Sequence, residues 1–271
     1  MKKRVIAAIV LLPLLLVVVL ALPKFCTAIL FGLAAAVASY ELLYGTGIVK
    51  SLRLNLYAMT SAFWMVLWCG LGIGYVWLLL GIMVLWGLLF MEVMLSGMKL
   101  PFEKVSACFV GGLLLPLLLG SLVRIHALEQ GRALVLVPFA VAFLSDSGAY
   151  FVGLKFGKHK LAPNISPKKT VEGMVGGVLG AVVGLGIFCL VLQLFFGFTI
   201  NYLYVLIYGL VGSLGGVFGD LCFSAVKRQT GIKDYGKLIP GHGGILDRFD
   251  SMIVAGPLVE ALLLLLPLAV K

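Results

Sequence analysis

Apolar residues fill this chain in long blocks. A helix needs about 20 predominantly apolar residues to cross a hydrocarbon layer of roughly 30 Å. Nine blocks approach that length, at about 5–22, 25–44, 56–73, 75–97, 105–123, 134–153, 172–197, 201–223 and 251–270. They predict an all-α polytopic integral membrane protein of about nine transmembrane helices. The third and fourth blocks are separated only by a short glycine-rich turn, Gly70, Gly72 and Gly74. The first block follows Lys2, Lys3 and Arg4, as a signal peptide would. It is long, however, and no small-x-small cleavage site stands at Ala21–Pro23, so it reads as a retained helix.

Composition strengthens this picture. The 271 residues are 62% hydrophobic and 12% charged, where a soluble domain carries about 25% charge. No soluble fold of this size hides so much apolar side chain, and no disordered chain carries it. The five cysteines are scattered and form no CxxC pair or metal spacing.

The net charge of +10 would suggest nucleic acid in a soluble protein. Here its distribution points elsewhere. With a cytoplasmic N-terminus, 17 of the 21 Lys and Arg fall on the cytoplasmic side, the asymmetry expected of membrane topology. The chain is then one integral domain with two regions. Residues 1–130 carry about five helices, and residues 131–271 carry about four. Two polar segments of the second region, 154–171 and 224–250, face the cytoplasm and are the expected seat of any chemistry. The expected location is a bacterial inner (plasma) membrane.

Glycines recur at four-residue spacing in two blocks: Gly173/Gly177, Gly176/Gly180/Gly184, Gly212/Gly216 and Gly215/Gly219. Small residues at that interval let helix backbones approach closely. Gly219, beside an acid, is also a candidate for close approach to a substrate.

Acids are scarce, with 11 Asp and Glu in all, so each can be weighed. Glu41, Glu92 and Glu260 read as helix-end residues or partners of a nearby cation. Asp220, Ser224, Lys227 and Arg228 fall at helical spacing on one face. Asp247 and Asp250, three apart, share another, with Arg248 off to one side. Three carboxylates in such a setting suit Mg²⁺, a hard cation that takes oxygen ligands and substrate phosphates. The competing explanation for Asp247 is simple pairing with a helix N-terminus.

The turn Pro240-Gly241-His242-Gly243-Gly244 leads into the last block. Backbone N–H groups freed by Gly241, Gly243 and Gly244 beside a helix start make an anion site. With Lys227, Arg228, Lys233, Lys237 and Arg248 nearby in sequence, the expected anion is a polyphosphate. His242 is a candidate donor or acid, or simply part of the loop.

Asp146 lies within the sixth block, roughly 14 Å from its cytoplasmic end at 1.5 Å per residue. An ionisable group at that depth marks a functional site by default, with Lys168 or Lys169 as its expected partner. Ser166-Pro167-Lys168-Lys169-Thr170 resembles a helix start, with Ser166 as cap and Pro167 first. Lys168 and Lys169 are expected to hold a lipid phosphate.

From Ser224 to Asp250 the chain reads S-x-hydrophobic-K-R, four residues, K-D, then P-G-H-G-G-hydrophobic-x-D-R-hydrophobic-D. This resembles the signature of the phosphatidate cytidylyltransferases, the CDP-diacylglycerol synthases. Asp146–Tyr150, the Gly153/Gly157 turn and Ser166–Gly173, with Glu172, resemble a second block of that family. The resemblance covers roughly the C-terminal half.

It implies that CTP and phosphatidate give CDP-diacylglycerol and pyrophosphate. It also implies Mg²⁺ on Asp220, Asp247 and Asp250, with a second cation left open. Lys227, Arg228, His242 and Arg248 join these acids as catalytic candidates. Asp146, Lys168, Lys169, Glu172, Ser224, Lys233, Lys237, Gly243 and Gly244 are the substrate-binding candidates. The expected partners are CTP, phosphatidate and membrane lipid, not nucleic acid, and glycine-rich faces permit a homodimer. The competing readings are a CTP-dependent lipid kinase of the polyprenol or phytol type and a secondary transporter.

Overall fold

The computed structural model describes residues 13–239, 241 and 243–270. The start of the first block, residues 1–12, and His242, a catalytic candidate, lie outside the described residues.

Seven described helices are long and apolar enough to cross a membrane. They are α1 (Lys24–Gly45), α2 (Leu52–Leu71), α3 (Tyr75–Leu95), α4 (Phe102–Ala127), α5 (Gly131–Phe156), α6 (Val171–Phe196) and α7 (Tyr202–Gln229). They correspond to the second through eighth apolar blocks. Residues 13–20, in the first block, are also helical. Beyond α7 lie a short helix, α8 (Leu246–Phe249), and α9 (Met252–Leu265). The ninth block therefore forms a 14-residue helix, about 21 Å long, rather than a helix over all of 251–270. Its end turns into strand β4 (Ala269–Val270), which pairs antiparallel with β3 (Thr199–Ile200). The architecture is that of an all-α membrane protein with two small hairpin-like pairings.

The chain forms two compact units. The first joins the chain up to Ala127 with Lys227–Phe249, and the second joins Leu128–Val226 with the chain from Asp250 onward. The segment 227–249 thus belongs with the N-terminal helices and not with the helices that flank it in sequence.

In the first unit, α1 and α2 make the most extensive helix pairing, and the buried side chains Leu43, Leu54, Ala58, Leu85, Leu89 and Val105 form a continuous core. Helix α3 is the exception, with only 11% of its apolar window buried within the protein, as suits a helix bathed in lipid. Helix α4 contains Pro116, which has no N–H to offer the Gly112 carbonyl four residues back. The chain widens into a π-turn over Val110–Leu114, and the Ser61 hydroxyl donates to that carbonyl at 3.0 Å.

In the second unit α5 and α6 are packed almost backbone to backbone. A Cβ added at Gly148 would lie 3.1 Å from the Gly180 Cα and overlap the Gly176 carbonyl. The four-residue glycine spacing of α6 therefore serves packing, as predicted. On α7, Gly212 meets Val141, Gly215 meets Leu258 and Gly219 meets the Asp250 backbone. The close approach at Gly219 is to the protein's own chain.

Segment 154–171 departs from the sequence expectation. Ser166–Thr170 is not a helix start. It is strand β2, antiparallel to β1 (Lys160–Ala162), with Lys160 opposite Thr170 and Ala162 opposite Ser166. The cap of α6 is Thr170, whose Oγ1 accepts the Gly173 N–H at 3.1 Å. Pro167 fits an isolated two-stranded ribbon because an edge position requires no N–H.

Candidate active site

The conspicuous polar cluster of the first unit is built around Asp247, in the first turn of α8. Its side chain is 4% exposed. Oδ1 lies 2.9 Å from Lys227 Nζ. Oδ2 accepts the N–H groups of Tyr235 and Gly244, at 2.9 and 3.0 Å. Lys227 is itself buried and lies 5.3 Å from the centre of the Tyr235 ring, a cation–π distance. A buried ion pair of this kind holds only because each charge finds several partners.

One turn away in the same unit sits an acid from the far end of the chain. Glu41, at the start of the π-turn Glu41–Gly45 that ends α1, is buried. Its Oε1 accepts the Ile245 N–H at 3.1 Å and its Oε2 accepts the Leu246 N–H at 2.8 Å. Three successive amides, those of Gly244, Ile245 and Leu246, therefore face carboxylates of the chain itself. Of the amides expected to face a bound anion, that of Gly244 is therefore already taken by Asp247. Elsewhere in the unit Arg228, Lys233, Lys237 and Arg248 project exposed side chains. Gly243 takes a positive φ of 86° and its carbonyl accepts the Ile239 N–H.

The second unit carries the other polar cluster. Asp220 on α7 lies between two partners: Lys169 Nζ is 2.5 Å from Oδ2, and the Ser224 hydroxyl donates to Oδ1 at 3.0 Å. Ser224 is at i+4 from Asp220, as the helical spacing predicted. Lys169 comes from β2, so the hairpin delivers a cation to α7. Lys169, one of the two partners expected for Asp146, thus lies on Asp220; Asp146 is on α5 with an exposed side chain. Lys168, the preceding residue on β2, points to the other side and is exposed.

Asp250 is buried, with its Oδ1 accepting the Ser251 N–H at 2.8 Å. Glu172, a substrate-binding candidate, ties down its own loop. It accepts the backbone N–H groups of Lys158 and His159, each at 3.1 Å, and lies 2.5 Å from His159 Nδ1.

The chain matches the model of the cytidylyltransferase family over residues 2–266. This chain belongs to the cytidylyltransferase family. Among its curated relatives, the phosphatidate cytidylyltransferase of Staphylococcus saprophyticus is 40% identical over 174 residues. Those of Staphylococcus epidermidis and Staphylococcus aureus are each 39% identical over 174 residues. Each alignment covers 62% of this chain and 61% of the relative, so the chain spans about three fifths of the length of the curated relatives it matches.

In this cytidylyltransferase-family chain, sequence reasoning missed three participants. Tyr235 contributes an N–H and a ring face to the Lys227–Asp247 pair. His159 binds Glu172. Glu41 was read as a helix-end residue. The available signal for Glu41 was an acid inside an apolar block, which is expensive without a built partner. Glu92, treated in the same way, accepts from the Tyr57 hydroxyl at 3.1 Å.

The donor set suits a hard cation unevenly. Among the described residues no three His, Cys, Asp or Glu gather into a metal-holding group. Mg²⁺ needs fewer, because it is commonly held by one or two carboxylates with substrate phosphates and water. Asp220 holds an ammonium group, that of Lys169, but its side chain is 28% exposed and is joined by the Ser224 hydroxyl, another oxygen donor. Asp247 already holds an ammonium group and two amides.

Proposed function

We propose that this protein transfers the cytidylyl group of CTP to phosphatidate, giving CDP-diacylglycerol and pyrophosphate. The observation that carries this reading is the 27-residue motif from Ser224 to Asp250, in which Lys227 and Asp247 are paired and Arg228, Lys233, Lys237 and Arg248 are exposed. The family match and the printed names of the relatives support it.

In the reaction proposed, a phosphatidate oxygen attacks the α-phosphorus of CTP. The new P–O bond forms as the bond to the β-phosphate bridging oxygen breaks, and pyrophosphate leaves. The nucleophile is already an anion, so no strong base is required. Catalysis is then positioning and charge neutralisation. Arg228, Lys233 and Lys237, all exposed, are assigned to the triphosphate. Lys227 is assigned there too, oriented by Asp247 and Tyr235. Lys168, Lys169 and Arg248 are assigned to the lipid phosphate. Mg²⁺ is the proposed cofactor, on Asp220 first and on Asp247 and Asp250 with it; when bound, it would neutralise phosphate charge on the leaving group.

The topology proposed has nine spans, a cytoplasmic N-terminus and both polar segments, 154–171 and 224–250, on the cytoplasmic side of a bacterial plasma membrane. The 17:4 division of cations supports it. Acyl chains would stay among the helices.

The test is an assay of the full chain in detergent with labelled CTP, phosphatidate and Mg²⁺. Release of pyrophosphate with cytidine attached to lipid supports the proposal. Release of CDP with a newly phosphorylated lipid would make it a CTP-dependent lipid kinase instead.

A further inference from the structure

We propose that Glu41 is a positioning residue for nucleotidyl transfer, fixing the glycine-rich turn that carries Asp247. The inference rests on the proposed function for its catalytic half and on geometry alone for the rest.

Glu41 lies 204 residues before Ile245, outside the motif, yet in the same unit as segment 227–249. Its buried carboxylate uses both oxygens on that segment, one on the Ile245 N–H and one on the Leu246 N–H. A carboxylate bridging two adjacent amides sets both the distance and the rotation of the peptide between them. A buried carboxylate is costly unless it is hydrogen-bonded, so the two amides and the acid depend on one another.

A second, independent observation points the same way. Gly236 and Gly244 lie 8 positions apart on the segment, and a Cβ on either would overlap the Glu41 carboxylate. Both approaches to the turn have been left without a side chain, and the space is filled by this acid. A Cβ on Gly45, at the other end of the π-turn, would overlap the Tyr235 carbonyl. Phe31, further back on α1, meets Phe249 edge-on at 6.0 Å. The π-turn that ends α1 thus grips the segment at Tyr235–Gly236 and at Gly244–Leu246, and Phe31, earlier on α1, meets it at Phe249.

The consequence concerns Lys227 and Asp247. Gly244 donates to Asp247, and the next two amides donate to Glu41. Asp247 therefore leaves a turn whose amides are held on both sides, and it reaches Lys227 from a fixed base. If Glu41 lets go, the turn can shift and carry the Asp247 carboxylate with it. A displacement of about 1 Å at a reacting group costs up to about 100-fold in rate.

Glu41→Gln keeps the shape but replaces one acceptor with a donor that faces a backbone N–H. Hydrogen exchange is measured on the full chain in detergent, beside kinetics with CTP and phosphatidate. In the wild-type protein the Ile245 and Leu246 amides are expected to be protected. In Glu41→Gln their exchange is expected to quicken by at least about tenfold, since a lost hydrogen bond to a charged acceptor is worth that much. The helices α2 and α6 are expected to exchange as before. kcat is expected to fall by about 10- to 100-fold, with the KM for phosphatidate little changed. Glu41→Asp, with both oxygens on a shorter stem, is expected to recover part of both.

Unprotected Ile245 and Leu246 amides in the wild-type protein overturn the proposal without any variant. So does a Glu41→Gln protein with wild-type kcat. If the wild-type protein makes no CDP-diacylglycerol, the failure belongs to the proposed function, and exchange still decides whether Glu41 holds the turn.

Discussion

Lys227 Nζ and Asp247 Oδ1 lie 2.9 Å apart, and their side chains are 10% and 4% exposed. Such a pair cannot lose one member quietly. Asp247→Asn leaves a buried ammonium with a neutral partner, and breaking a buried pair in this way costs about 3–5 kcal/mol. The thermal midpoint in detergent is expected to drop for Asp247→Asn and for Lys227→Met singly. The double variant Lys227→Met/Asp247→Asn, which keeps an oxygen for the Tyr235 and Gly244 amides, is expected to regain much of the stability and none of the nucleotidyl transfer. Activity in the double variant would remove both residues from the proposed chemistry.

Asp220 is a different case, because its side chain is 28% exposed and its partners Lys169 and Ser224 are local. A partly exposed ion pair contributes at most about 1 kcal/mol to stability. Asp220→Asn is therefore expected to insert and fold while losing CTP-dependent transfer. Circular dichroism and size-exclusion profiles would report the first, and pyrophosphate release the second.

Chelation offers a check that needs no substitution. EDTA is expected to abolish pyrophosphate release from the wild-type protein, and excess Mg²⁺ to restore it. Full activity in chelator would remove the proposed cofactor.

Thr170 caps α6 through the Gly173 N–H and ends β2. Thr170→Ala is expected to cost about 1 kcal/mol, the usual value of a lost N-cap. Thr170→Ser keeps the hydroxyl and is expected to recover most of it. Because β2 carries Lys169 to Asp220, Thr170→Ala is also expected to lower activity more than this stability change alone would.

At Gly148, where α5 meets α6, even one methyl group has no room. Gly148→Ala is expected to lower the yield of folded protein and its thermal midpoint. Gly186, with open space beside it, is the control: Gly186→Ala is expected to be neutral or slightly stabilising.

Seven helices were legible in the sequence because a membrane span is a local property, a matter of length and apolarity. The glycine stripe of α6 and the Asp220–Ser224 spacing were legible for the same reason, since helical periodicity places them without reference to the rest of the fold. The segment 154–171 was not: Ser166-Pro167 is a good helix start locally, and it becomes a strand because Lys160–Ala162 folds back to pair with it. The motif residues could be named from their order along the chain, but not their partners. Whether Lys169 faces Asp146 or Asp220, or whether the amides after Gly243 are open to an anion, depends on which distant backbone arrives beside them. Glu41 shows the difference most plainly. Its presence in an apolar helix was written in the sequence, while its hydrogen-bond partners lie on a turn 204 residues away, which only the folded chain brings within reach.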